Sequence, residues 1–284
     1  MKRSVRFVLA IGLIGSAAGS KAATIITLGS GFKGPTGVAV DASGNVFVAD
    51  SLNHAVKEIV AAGGYKTVNT LGTGFSGLRG VAVDASGNVF IAQAGAVNEI
   101  LAAGGYTTIN TLGSGFAFPY GVAVDAGGNV FVADAGDNAV KEILAAGGYT
   151  TVTTLGSGFN QPYGVAVDGS GNVFVADAVN SAVKVILAIG DYTWVETLGS
   201  GFTIPSGIAI DASDNVFVAD TLNDAVKVIL PAGGYTTVNT LGSGFNYPSG
   251  VAVDASGNVF VADTNSNTVK EILAEGIFRD DFEG

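Results

Sequence analysis

Apolar positions along this chain come in short runs, and each run ends at a turn rich in glycine. The first complete set reads GVAVD (residues 37–41), NVFVAD (45–50), AVKEIV (55–60) and YKTVNTL (65–71). Valine, threonine and aromatics dominate the runs, which favours strands over helices. The turn ASG after the first run places Gly44 where a left-handed conformation closes a hairpin, and AAGG after the third run does the same. All connections are short, so the four strands are expected to pair antiparallel in sequence order.

The whole set recurs. The Asp that ends VAVD or IAID stands at 41, 84, 125, 168, 211 and 254, with steps of 43, 41, 43, 43 and 43. A period of this length marks a repeat architecture, and six four-stranded units either stack as a solenoid or close as a ring. The ends of the repeat region choose the ring. ATIITLGSGF, from Ala23, is a fourth strand without its first three, and the sixth unit stops after its third strand, TVKEIL. Setting Ile25–Leu28 beside Val269–Leu273 completes the sixth sheet. The predicted fold is all-β: a six-bladed β-propeller of four-stranded antiparallel blades, its ring closed by the N-terminal strand.

Two rings of phenylalanine fit this picture. Phe47, Phe90, Phe131, Phe174, Phe217 and Phe260 recur in the second strands. Phe32, Phe75, Phe116, Phe159, Phe202 and Phe245 recur in SGF or TGF. Blades bury both faces against their neighbours, so these side chains are assigned to the core. At these residues a family resemblance emerges. PTGVAVDASGNVFVADSLNHAVKEI (Pro35 to Ile59) resembles an NHL repeat, five further copies follow, and the chain resembles exported bacterial NHL-repeat proteins over residues 23–275. The resemblance implies a binding module such as the extracellular sensor domains of bacterial kinases. Related six-bladed propellers act as lyases or lactonases. In one respect this chain departs from the family: an arginine frequent two residues after the repeat Asn is here Ala55, Ala139, Ala182, Ala225 or Thr268. The inter-blade pairing such an arginine makes with a carboxylate is therefore not expected.

Composition adds a compartment. Met1-Lys2-Arg3 and Arg6 precede an apolar stretch from Phe7 to Gly19, and Ser20-Lys21-Ala22 fits a small-x-small cleavage site. Residues 1–22 are read as a signal peptide, 23–275 as the propeller and 276–284 as an acidic-aromatic tail. This predicts an exported protein, periplasmic or extracellular, without membrane insertion after cleavage. There is no Cys, so stability rests on burial alone. The formal charge is −11, and residues 1–22 carry four basic and no acidic side chain, so the chain without them stands at −15. Such a surface argues against nucleic acid and against anionic membranes.

Comparing the repeats with one another separates frame from function. The turns DASG and AAGG hardly change, whereas the loops after SGF (KGPT, SGLR, AFPY, NQPY, TIPS, NYPS) and after VAD (SLNH, AGDN, AVNS, TLND, TNSN) differ in every unit. Strand alternation puts both variable sets on one side of the disc, around the channel mouth, where loops on a rigid scaffold carry function. One ring there is formed by the residue before each GVAV or GIAI: Thr36, Arg79, Tyr120, Tyr163, Ser206 and Ser249. Arginine and tyrosine are the residue types that dominate binding hot spots. The candidate ligand-binding residues are Arg79, Gln93, Tyr120 and Tyr163, with Phe118 and Tyr247 in the same loops. Gln93 is included because it replaces the repeat Asp in the shortened loop of the second unit.

Asp41 and its equivalents suit Asx-turns. Asp50, Asp134, Asp177, Asp220 and Asp263 end the second strands on the variable side. They tie down their own loops or, in a second reading, form a carboxylate ring able to hold Ca²⁺; no other cofactor is expected. His54 is the single His, and no GxSxG elbow is present. The expected function is a non-enzymatic, exported binding or scaffold module that presents the variable face to a protein, peptide or glycan. The competing class is a metal-dependent propeller lyase or lactone hydrolase. Trp194, on an outer strand, is a weaker candidate for a rim contact.

Overall fold

The computed structural model describes residues 23–274. The signal peptide read in residues 1–22 and the tail from 276 lie outside them. The described residues form six separate four-stranded antiparallel sheets in sequential order. Blade 1 runs Pro35–Val40, Val46–Asp50, Ala55–Val60 and Thr67–Thr73. Blades 2 to 5 repeat this plan. Blade 6 takes Pro248–Val253, Val259–Asp263 and Thr268–Ile272 from one end of the sequence and Ile25–Leu28 from the other. Ile25 sits opposite Ile272 and Leu28 opposite Val269, so the N-terminal strand closes the ring in the register the sequence implied.

The core lies between blades, which is why the second strands are apolar on both faces. All six second-strand phenylalanines are buried to 2% exposure or less. Phe47 of blade 1, for instance, shares a cluster with Val81, Val89, Ile91 and Ile100 of blade 2. The SGF phenylalanines join the same clusters, Phe75 beside Phe47 and Phe116 beside Phe90. Burial of each such ring stabilises by about 1.5–3 kcal/mol. Both phenylalanine rings are thus core.

The inner strands explain their own glycine. A Cβ on Gly37 would come within 2.6 Å of the Arg79 carbonyl, and one on Gly164 within 2.1 Å of the Ser206 carbonyl. Neighbouring inner strands approach too closely there for any side chain. Just before that glycine, five blades carry a register shift, between Pro35 and Gly37 in blade 1 and between Pro119 and Gly121 in blade 3. A bulge re-aims the residue it contains, and here it contains the ring position. Blade 2 lacks the proline; Leu78 stands there, fully buried.

Candidate functional site at the axial mouth

The loop sets after SGF and after VAD lie on one face and are bonded together: Leu52 N–H donates to the Lys33 carbonyl, and Ala135 N–H to the Phe118 carbonyl. Beneath these loops sits a repeated polar frame. The Asp50 carboxylate accepts from the Lys33 N–H at 2.7 Å, from the Asn53 amide at 2.7 Å and from the Lys57 ammonium at 2.6 Å. The same ammonium donates to the Gly31 carbonyl at 2.6 Å and lies 5.3 Å from the centre of the Phe32 ring. Asp134–Lys141, Asp177–Lys184, Asp220–Lys227 and Asp263–Lys270 repeat the ion pair with the carboxylate fully buried. Removing either partner would leave a buried charge uncompensated.

This frame answers two expectations. The carboxylates do tie down their own loops, and each has a lysine where a shared cation would have to sit. Among the described residues, no three His, Asp or Glu side chains converge as a metal-binding group. The missing arginine has a substitute: the lysine of AVKEI holds the carboxylate and bonds back to the segment that joins the blades. The sequence carried a signal for this pair, because blade 2 changes both members at once, to Gln93 and Asn98. Gln93 Nε2 donates to Asn98 Oδ1 at 2.7 Å, and Gln93 Oε1 accepts from the Ser76 N–H at 3.2 Å. Gln93 therefore belongs to the frame and does not line the axial cavity. Its inclusion as a ligand contact gives way to that geometry.

All six ring residues do line one cavity of about 60 Å³ on the axis, together with the glycines and valines that follow them. The ring divides into two arcs. In blades 5, 6 and 1 the hydroxyls are used between blades. Ser206 pairs with the Thr221 hydroxyl, which donates to the Pro248 carbonyl at 2.8 Å. Ser249 Oγ and Thr264 Oγ1 lie 2.6 Å apart, and Thr264 donates to the Pro35 carbonyl at 2.7 Å. Thr36 donates to the Arg79 carbonyl at 2.8 Å.

In blades 2, 3 and 4 the ring holds Arg79, Tyr120 and Tyr163, and the residue after the second strand is alanine (Ala94, Ala135, Ala178). The Arg79 guanidinium carbon lies 4.3 Å from the Phe118 ring centre and 4.8 Å from that of Tyr120. Tyr120 stacks on Tyr163 with centroids 4.2 Å apart and planes 11° from parallel. Burial pushes the Tyr120 phenol above its ordinary pKa while the Arg79 charge pulls against it, so it is a neutral hydroxyl at physiological pH. None of the six ion pairs among the described residues involves Arg79. Phe118 and Tyr247 are exposed on the rim of the mouth, and Asp224 holds the Tyr247 backbone N–H at 2.8 Å. His54 donates from Nδ1–H to the Phe75 carbonyl, 3.0 Å away, as a loop residue in a left-handed turn. Trp194 is exposed on the outer hairpin of blade 4, away from the cavity.

Fold and site together define a six-bladed β-propeller with an asymmetric axial mouth. Within that class, the NHL repeat model matches three stretches of this chain, residues 32–59, 159–186 and 245–272. A search of curated proteins gives no match. Solved structures similar to this chain include a gluconolactonase from Xanthomonas campestris, with a TM-score of 0.73 and 16% identity over 88% of this chain and 89% of that one. An auxiliary nutrient binding protein from Bacteroides thetaiotaomicron has a TM-score of 0.70 and 14% identity over 85% of this chain and 69% of that one. A catalytically inactive virginiamycin B lyase from Staphylococcus aureus, solved with quinupristin, has a TM-score of 0.62 and 13% identity over 89% of this chain and 85% of that one. At such identities the likeness concerns the fold.

Proposed function

We propose that this protein is an exported binding or scaffold module whose variable loop face receives a protein, peptide or glycan, with the axial mouth as its contact point. One observation carries the reading: a half-buried arginine, free of any carboxylate among the described residues, is held among aromatic rings at the mouth of an otherwise self-satisfied frame. Arginine and tyrosine clustered in a pocket are what binding hot spots are made of. The nutrient-binding neighbour shows the same fold in a protein named for binding.

The lactonase and lyase neighbours keep an enzyme as the second class. A metal-dependent hydrolase or lyase needs convergent ligands, and the second-strand carboxylates are already engaged with lysines. Thermal unfolding separates the two classes. After treatment with a chelator, addition of Ca²⁺, Mg²⁺, Mn²⁺ or Zn²⁺ is expected to leave the midpoint unchanged, because a ligand raises it only by binding the native state. A rise of several degrees with one ion would favour the enzyme and overturn this reading.

A further inference from the structure

We infer that the axial mouth takes a single carboxylate carried by a peptide chain, either its C-terminus or an Asp or Glu side chain, with Arg79 as the recognition group. This rests on the binding reading above and narrows it to one ligand chemistry.

The first argument concerns the guanidinium. Its contacts with Phe118 and Tyr120 are to ring faces, at 4.3 and 4.8 Å. Such contacts hold the cation in place; one N–H is directed at the Tyr120 hydroxyl, and the remaining in-plane N–H groups of the five are left for an acceptor. The neighbouring Tyr120 hydroxyl is kept protonated. A planar carboxylate is the acceptor that matches a guanidinium edge in two parallel bonds.

The second argument concerns charge. Arg79 is the single arginine among residues 23–274, in a chain with a formal charge of −11. A phosphate dianion is ordinarily met by a cluster of cations, and a polyanion would be repelled by this surface. One guanidinium suits one carboxylate.

Size and surroundings choose the carrier. A cavity of about 60 Å³ on the axis admits the end of a ligand rather than its body. Around it the variable loops expose apolar side chains interleaved with amides such as Asn53, Asn138, Asn180 and Asn223. Leu52, Phe118, Val179, Leu222 and Tyr247 are exposed on the variable loops, five of the nine exposed large apolar side chains among the described residues. A carboxylate tip flanked by apolar contacts, with amides placed to meet a peptide backbone, is the profile of a peptide.

The test uses the immobilised protein and random-sequence peptide pools in four forms: free acid or C-terminal amide, each with or without Asp and Glu. Retention is expected to be about tenfold or more greater for pools that carry a carboxylate, as a charge-assisted hydrogen bond implies. The preference should fall with salt and disappear in Arg79→Gln, whose melting midpoint is checked against the parent. Amide against acid, and pools with or without acidic side chains, tell the two carboxylate sources apart. Equal retention of all four pools, lost in Tyr120→Ala, would overturn the carboxylate inference while leaving a binding face. Retention of none would overturn both.

Discussion

In blades 5, 6 and 1 the axial ring carries Ser206, Ser249 and Thr36. In blades 2, 3 and 4 the same position carries Arg79, Tyr120 and Tyr163. The first three are followed, one hairpin later, by hydroxyl residues (Thr221, Thr264 and Ser51), and the last three by alanine. In the first arc Ser206 and Ser249 bond to a threonine hydroxyl that reaches the next blade, and Thr36 reaches it directly. In the second arc the hydroxyl partner is gone, the large side chains stack on one another, and none of them is tied to the next blade by a threonine hydroxyl. One scaffold position thus serves as a seam on one side and as a contact surface on the other. The difference lies in whether the side chain finds its partners inside the ring.

Both arcs rest on the buried Asp–Lys frame, so the largest effect comes from breaking it. Lys184→Met should cost about 3–5 kcal/mol in denaturant unfolding, because Asp177 would remain buried and unpaired. The double substitution Asp177→Gln with Lys184→Asn copies blade 2 and should recover most of that loss. If the single and double variants are equally unstable, the neutral pair in blade 2 is not an equivalent solution.

A smaller effect separates the arcs. Thr221→Val removes the hydroxyl that bridges Ser206 and the Pro248 carbonyl, both buried, and should cost about 1–3 kcal/mol. Arg79→Ala, on the other arc, should stay within about 1 kcal/mol of the parent, since no ion pair is lost. Equal losses from the two would erase the distinction between seam and contact surface.

The smallest effect should not distinguish the arcs at all. Glu142 in blade 3 and Glu271 in blade 6 both have pKa values raised chiefly by burial. A raised carboxyl binds its proton better in the folded state, so its stabilising contribution is present below the ordinary glutamate value and is lost as pH rises through the raised one. Glu142→Gln and Glu271→Gln should each raise the melting midpoint slightly at pH 7 and have no such effect near pH 4. A difference at pH 7 on one arc only would mean that the asymmetry reaches beyond the ring.

Much of this was legible because the chain repeats itself. Six copies turn one sequence into its own comparison set, so the phenylalanine core, the two faces and all six ring positions could be read from what stays and what changes. The ring closure followed from the split sixth unit. The Lys57–Asp50 pair and its copies are not legible in what stays, because the lysine stands in every blade but one and so looks like part of the strand pattern. Gln93 departs from the repeat together with Asn98, and the two side chains bond to each other, so the change reads as specialisation only when one half of it is seen. The stacking of Tyr120 on Tyr163 involves two ring positions that each lie at a register shift, a backbone feature that the side-chain pattern does not encode.

The closing strand has a temporal consequence. Ile25–Leu28 leaves the ribosome before any blade exists, and the strand it pairs with, Thr268–Ile272, emerges after five blades have had time to assemble. Domains fold as their residues appear during synthesis, and contacts between distant positions wait on loop closure. The nascent propeller is therefore an open arc for nearly all of its synthesis, with one unpaired strand edge at its growing end. The ring becomes a single mechanical unit only when its oldest segment meets its youngest.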